Sequence, residues 1–343
     1  MLSKSDAEQA VNTALDAAQK AEAAGDLDRA LGYFRALAQI QPDNYRWPFE
    51  GVRVLRQSGR GQEAADALRK ALRRFPRAPT RPDIRAMLPE LRRATEERPA
   101  ETLRALGDKC PSDAELKRPV IQDDGSADLI VGEGGRKAAV IVFTGLADRL
   151  VMPLPVFDRY LAALDLTAVY LRDKHRIGFF NGVKSLAGDY DGTIGALRSL
   201  LAEKGIATVH TLGNSAGGMA AVSYGIDLGA DKVLAFSAPV ALVAGTKNVD
   251  FRTAVFADRL LHGVPEAQRD FRGRLEAAER PPEVHLYYGA EMPEDVYHAT
   301  FLEGRPGVRL HPLTGLAGHG ALFRVALNGE LRKVFAELFG ERD

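Results

Sequence analysis

From residue 119 onward, short apolar runs alternate with longer stretches of helical periodicity. Ala138-Ala139-Val140-Ile141-Val142-Phe143 is apolar throughout and of strand length. That is the pattern of a strand buried on both faces of a parallel sheet. Similar runs recur at Leu166–Leu171, Ala207–Leu212, Lys232–Phe236 and Val284–Tyr288, with a weaker one at Val308–Leu310. Between or after them, Pro155–Leu164, Tyr190–Lys204, Met219–Leu228 and Glu330–Phe339 read as helices. The alternation predicts an α/β domain, a mostly parallel sheet with helices on both faces. Ahead of it, Val120–Gln122 and Leu129–Val131 flank Asp123-Asp124-Gly125, a hairpin signal. Residues 241–281 lack a strong strand pattern and are expected to form a helical insertion over the edge of the sheet.

Residues 1–80 follow another rule, a repeat with a shift of 34 residues. The shift carries Gly25 onto Gly59, Ala30 onto Ala64 and Pro42 onto Pro76, and it sets Phe34 against Leu68 and Leu37 against Ala71. Each unit reads as a helix, a turn at glycine, a second helix and a proline stop. Small alanines let the two helices approach, and the larger apolar residues fill the groove beside them. Over about residues 11–78 this resembles the tetratricopeptide repeat. It departs from that pattern at Trp47, one place off the usual aromatic position, and at Leu37, where alanine is preferred. Residues 81–106 carry apolar spacing broken by Pro89 and Pro99, which suits short helices, either a third, degenerate helix pair or a cap on the repeats. The expected organisation is a helical-repeat domain over 1–106, a linker over 107–118 and the α/β domain over 119–343. The repeats are expected either to recruit a protein partner or to shape access to the pocket of the α/β domain. The basic run from Arg69 to Arg85 is either a docking patch for an acidic partner or a solvated helix face.

Composition removes several alternatives. Of 343 residues, 45% are hydrophobic and 27% charged, an ordinary globular balance. Lys+Arg and Asp+Glu are equal at 46 each, so no global field draws the chain to nucleic acid or to an acidic membrane. The single cysteine, Cys110, rules out an intrachain disulfide and a cysteine-built zinc site. The longest apolar runs are too short to span a bilayer, and the first residues lack the apolar core of a signal peptide, so a cytoplasmic location is expected. No phosphate loop, dinucleotide fingerprint or metal-ligand motif is present, so no cofactor or metal is implied.

The chemistry concentrates after the run ending at Leu212. Gly213-Asn214-Ser215-Ala216-Gly217 is G-x-S-x-G between a strand and a helix, where glycines permit a turn sharp enough to expose the serine. Serine needs a base, expected near the chain end after the last strand. His319, between glycines in Leu313-Thr314-Gly315-Leu316-Ala317-Gly318-His319-Gly320, fits that place best, with His298 and His311 as the nearest rivals. An orienting carboxylate is expected after Val284–Tyr288. The segment there offers Glu291, Glu294 and Asp295, of which Asp295 is preferred and Glu291 is the main alternative. The oxyanion donors expected are the amides of Ala216 and of Leu146, with Gly145 allowing close approach. Gly145 and Asn214 are candidate substrate contacts. So is Arg172 or Lys174 for an anionic substrate, although Arg172 or Asp173 equally suits a structural salt bridge.

In this order the residues resemble the α/β-hydrolase superfamily over roughly residues 118–343. The resemblance implies an eight-stranded, mostly parallel sheet and ester, thioester or amide chemistry on small acyl substrates through an acyl-enzyme. Two features depart from the family. Met292 and Pro293 stand where its acid is common, and the oxyanion loop lacks the His-Gly-Gly run of one lipase branch. Two further readings share these residues, an acyltransferase and a non-catalytic interaction protein that reuses the scaffold.

Overall fold

The computed structural model describes residues 4–75, 99–146, 148–243 and 263–340. The chain divides into two compact units, Met1–Glu101 and Thr102–Asp343.

Among its described residues the first unit carries the helices α1 (Lys4–Ala23), α2 (Leu27–Ile40), α3 (Arg46–Gln57) and α4 (Gly61–Arg74). Each packs against the next. The bounds of α2 and α4 differ by the same 34 residues found in the sequence. Gly25 and Gly59 close the two equivalent turns in the left-handed region, at φ 76° and 71°. That conformation costs glycine little. The core is drawn from the repeated positions: Ala30, Phe34 and Leu37 of α2 and Ala64, Leu68 and Ala71 of α4, together with Trp47, Val52 and Leu55 of α3. Trp47, at its shifted position, is buried, and its indole N–H is satisfied by Gln41 Oε1 at 2.8 Å. The proline stop at 76, most of the basic run and most of the capping stretch lie outside the described residues.

The second unit is built on a seven-stranded sheet of β1 (Leu129–Gly132), β2 (Ala138–Phe143), β3 (Thr167–Leu171), β4 (Thr208–Asn214), β5 (Lys232–Phe236), β6 (Glu283–Gly289) and β7 (Val308–Leu313), in the order β1-β3-β2-β4-β5-β6-β7. Only β1 runs antiparallel. Every residue of β2 and β3 is buried, as continuous apolar runs require. The alternation of side chains splits β2 between two cores. Ala139, Ile141 and Phe143 face the helices α6 (Tyr190–Glu203) and α7 (Ala216–Leu228). Ala138, Val140 and Val142 face α5 (Leu154–Ala162), α10 (Ala321–Leu327) and α11 (Glu330–Phe339).

The expected hairpin does not form, and seven strands are described where eight were expected. The Ile121 amide donates to the buried Asp158 carboxylate instead of a strand partner, and Asp123 and Asp124 accept from Gly125 N and Ser126 N in local turns. β1 therefore pairs with β3 rather than with 120–122. Residues 107–118, read from sequence as a linker, are packed into this unit. Cys110 joins the core, and Arg118 forms a two-pronged ion pair with Asp158 at 2.6 and 2.7 Å. Within the 241–281 segment, residues 244–262 lie outside the described residues. The remainder carries a short turn of helix and α8 (Phe271–Ala277), whose Phe271 and Leu275 are buried. No helix among the described residues is long and apolar enough to cross a membrane.

Candidate active site

β4 ends at Asn214 and α7 begins at Ala216, which leaves Ser215 as the whole connection. Its backbone stands at φ 58°, ψ −127°, a region few side-chain-bearing residues occupy. The amide of Ser215 donates to Phe236 O on neighbouring β5 at 2.8 Å and helps to hold the strained turn. The motif's two glycines are required by close backbone approach. A Cβ on Gly213 would lie 2.0 Å from Gly217 O, and one on Gly217 would lie 2.1 Å from Phe143 O.

The loop after β7 brings His319 to this turn. His319 Nε2 is 2.9 Å from Ser215 Oγ, and Nδ1 is 2.8 Å from Asp295 Oδ1. Asp295 is 2% exposed, whereas the His319 side chain is 33% exposed, so the line of groups runs from a buried acid to a base open to solvent. Asp295 lies in the first turn of α9 (Pro293–Phe301), not in the loop expected from sequence. Pro293 at the helix start, followed by Glu294 and Asp295 in the first turn, is a helix-start signature.

Of the three acids considered, only Asp295 meets the imidazole. Glu291 has a different partner: its Oε1 accepts from Gly315 N at 2.7 Å, while its own amide donates to Leu316 O. It thus pins the loop that carries His319. The rival histidines have partners elsewhere. His298 Nδ1 accepts from Ala241 N at 3.2 Å. His311 Nε2 lies 2.9 Å from His285 Nδ1, on β7 and β6, and burial pushes both rings below the usual histidine range, His285 to about 4.

Ala216 opens α7, where the first amides of a helix have no intrahelical acceptor. The loop after β2 crosses beside it. A Cβ on Gly145 would sit 3.2 Å from Asn214 O and 3.8 Å from Ser215 Cβ, so glycine here allows the loop to lie against the elbow, the sharp turn at Ser215 between β4 and α7. Leu146 follows, partly exposed. Asn214 is buried, and its Oδ1 has no hydrogen-bond partner among the described residues. Arg172 is not presented as a substrate contact. It is 2% exposed, and its guanidinium donates to Asp123 Oδ2, Ala127 O and Asp148 O at 2.6, 2.6 and 3.1 Å. The sequence pointed to Arg172 but not to Asp148 or Arg176, which also hold the β2 loop, because their contacts depend on how two distant loops meet.

The sheet order, the strained serine between β4 and α7, the acid after β6 and the histidine after β7 together define the architecture. It is the α/β-hydrolase fold. No family model and no curated protein matches the chain. Solved structures similar to it include Est1E from Butyrivibrio proteoclasticus, at 10% identity and TM-score 0.46, covering 66% of this chain and 100% of that one. An S-formylglutathione hydrolase from Agrobacterium tumefaciens is similar at 16% identity and TM-score 0.45, covering 64% and 93%. The capsule O-acetyltransferase of Neisseria meningitidis serogroup A is similar at 11% identity and TM-score 0.43, covering 65% and 95%. At these scores the similarities say nothing of substrate or mechanism.

Proposed function

We propose that the second unit is a serine hydrolase acting on carboxylic esters, thioesters or amides, with Ser215 as nucleophile, His319 as general base and Asp295 as orienting acid. The observation that carries this reading is the unbroken hydrogen-bonded line Ser215 Oγ–His319–Asp295 at a strained turn. In the proposed reaction His319 Nε2 takes the hydroxyl proton as Ser215 Oγ attacks the carbonyl carbon. Asp295 holds the Nδ1 proton and stabilises the imidazolium. The tetrahedral oxyanion is received by the amides of Ala216 and Leu146. Collapse expels the alcohol, thiol or amine, which leaves with the proton from Nε2. Water activated by the same histidine then attacks the acyl-enzyme, releases the acid and restores Ser215.

The first unit, with its 34-residue periodicity, is proposed to act as a tetratricopeptide-like surface that recruits a protein partner. The test of the hydrolase reading is incubation of the full chain with a fluorophosphonate probe, followed by peptide mass spectrometry. An adduct on Ser215 that is lost in His319→Ala is expected. A folded protein that takes no adduct would favour the non-catalytic interaction reading.

A further inference from the structure

The loop beside the elbow is held from one direction by basic residues at the exit of β3. Asp148 lies in the left-handed region at φ 60°, with no glycine to ease it. Its amide donates to Gly145 O, and Gly145 N donates to Arg149 O, which makes a tight turn around Leu146. A strained turn of this kind persists only when its surroundings hold it. Two arginines contribute to that hold, and Lys174 Nζ also lies 3.9 Å from the Asp148 carboxylate. Buried Arg172 donates Nε to Asp148 O while its other two nitrogens are fixed by Asp123 and Ala127. Arg176 donates Nη1 to Leu146 O at 3.0 Å and brings Nη2 to 3.6 Å from the Asp148 carboxylate.

Arg176 is itself presented by a built loop. The buried Asp173 carboxylate accepts from the amides of Arg176, Ile177 and Phe179 at 2.8, 2.7 and 3.1 Å. Arg176 and Phe179 both have positive φ. Phe179 is anchored by an edge contact to Phe143 at the end of β2, 5.1 Å between ring centres, and by Tyr224 OH, which donates to its carbonyl. The loop that carries Arg176 and the loop that carries Leu146 thus share a footing.

We propose that Arg172 and Arg176 are positioning residues that hold the turn around Leu146 so that its amide meets the developing oxyanion. This rests on the serine-hydrolase reading. A guanidinium suits the task because it presents several donors in a fixed plane, so Arg172 spans three acceptors at once. An ammonium at the same place lacks that fork. Neither arginine touches the substrate in this assignment; both act through Leu146.

The experiment measures the rate constant kinact and the apparent affinity KI for fluorophosphonate labelling in the full chain, since phosphonylation also builds negative charge in the oxyanion site. Arg176→Ala, at an exposed side chain, is the variant least able to disturb folding, and Arg172→Lys and Arg176→Lys accompany it. Removing an oxyanion donor outright costs ~10²–10³ in rate, so a loosened donor is expected to cost roughly tenfold. For Arg176→Ala, kinact should fall by about that factor while KI and the melting temperature hold, and Arg176→Lys should recover part of the loss. Arg172→Lys should fall at least as far. Unchanged kinact in both Arg176→Ala and Arg172→Lys overturns the proposal, as does a loss that tracks KI or melting temperature alone. Failure of the unaltered protein to label at Ser215 would instead overturn the hydrolase reading, and this assignment with it.

Discussion

Gly217→Ala is a sharp test of how the elbow is built. The added methyl would stand 2.1 Å from Phe143 O and 2.6 Å from Thr144 O, both backbone atoms that no rotamer change can move. Non-bonded heavy atoms settle at roughly 3.5 Å, so α7 and the end of β2 must part by about 1 Å or more. Overpacking of this kind costs about 1–3 kcal/mol. For a domain of this size each kcal/mol lowers the melting temperature by about 2–4 °C, so the variant should melt several degrees lower but remain folded. The larger effect should fall on chemistry. The displaced atoms immediately precede Gly145 and Leu146, and a misplacement of about 1 Å in a reacting constellation can cost ~10²-fold. Fluorophosphonate labelling read beside thermal unfolding separates the two effects. A variant that labels at the original rate with an unaltered melting temperature would show that the glycine is not needed there, and the argument from backbone approach would fail.

Three further outcomes follow from the same geometry. Asp295→Asn should keep the fold but lower turnover or labelling by about 10³–10⁴-fold, as loss of the orienting carboxylate does in this arrangement; a loss below tenfold would assign Asp295 a lesser role. Asp158→Asn should destabilise the second unit by about 3–5 kcal/mol in denaturant titration, because Arg118 is left charged and buried without a carboxylate, and an amide nitrogen replaces one of the two oxygens that accept from Arg118, Tyr170 OH and Ile121 N. Burial holds His285 at about 4, below its ordinary 6.5, with Glu283, His311 and Arg309 around it. The unfolded chain then binds protons first as pH falls, so this contribution to stability is complete above pH about 6.5 and declines toward about 4. The decline should be shallower in His285→Gln, and melting curves between those limits with the same slope in both proteins would refute the assignment.

Much of the second unit was legible along the chain. β2, β5 and α11 match the apolar runs that predict them residue for residue, because a strand or helix buried by its own pattern needs no knowledge of distant partners. The 34-residue shift foretold the paired bounds of α2 and α4 for the same reason. Ser215 and His319 were marked by glycines and by their place beside strands, both local signals. Among Glu291, Glu294 and Asp295, chemistry alone cannot choose. The choice was made when α9 began at Pro293 and left Asp295, not its neighbours, one hydrogen bond from His319. Asp123-Asp124-Gly125 misled for a related reason: a hairpin and a pair of side-chain-capped turns share that sequence, and Asp158, far along the chain, took the Ile121 amide. Arg172 carried a correct chemical signal, a guanidinium ready for an anion, but tertiary structure gave it Asp123 and two carbonyls. Local pattern therefore set the elements and singled out Ser215 and His319, while partner choice among equivalent polar groups waited on packing. A hydrogen bond depends on distance and direction in space, and neither is written in the spacing of residues along the chain.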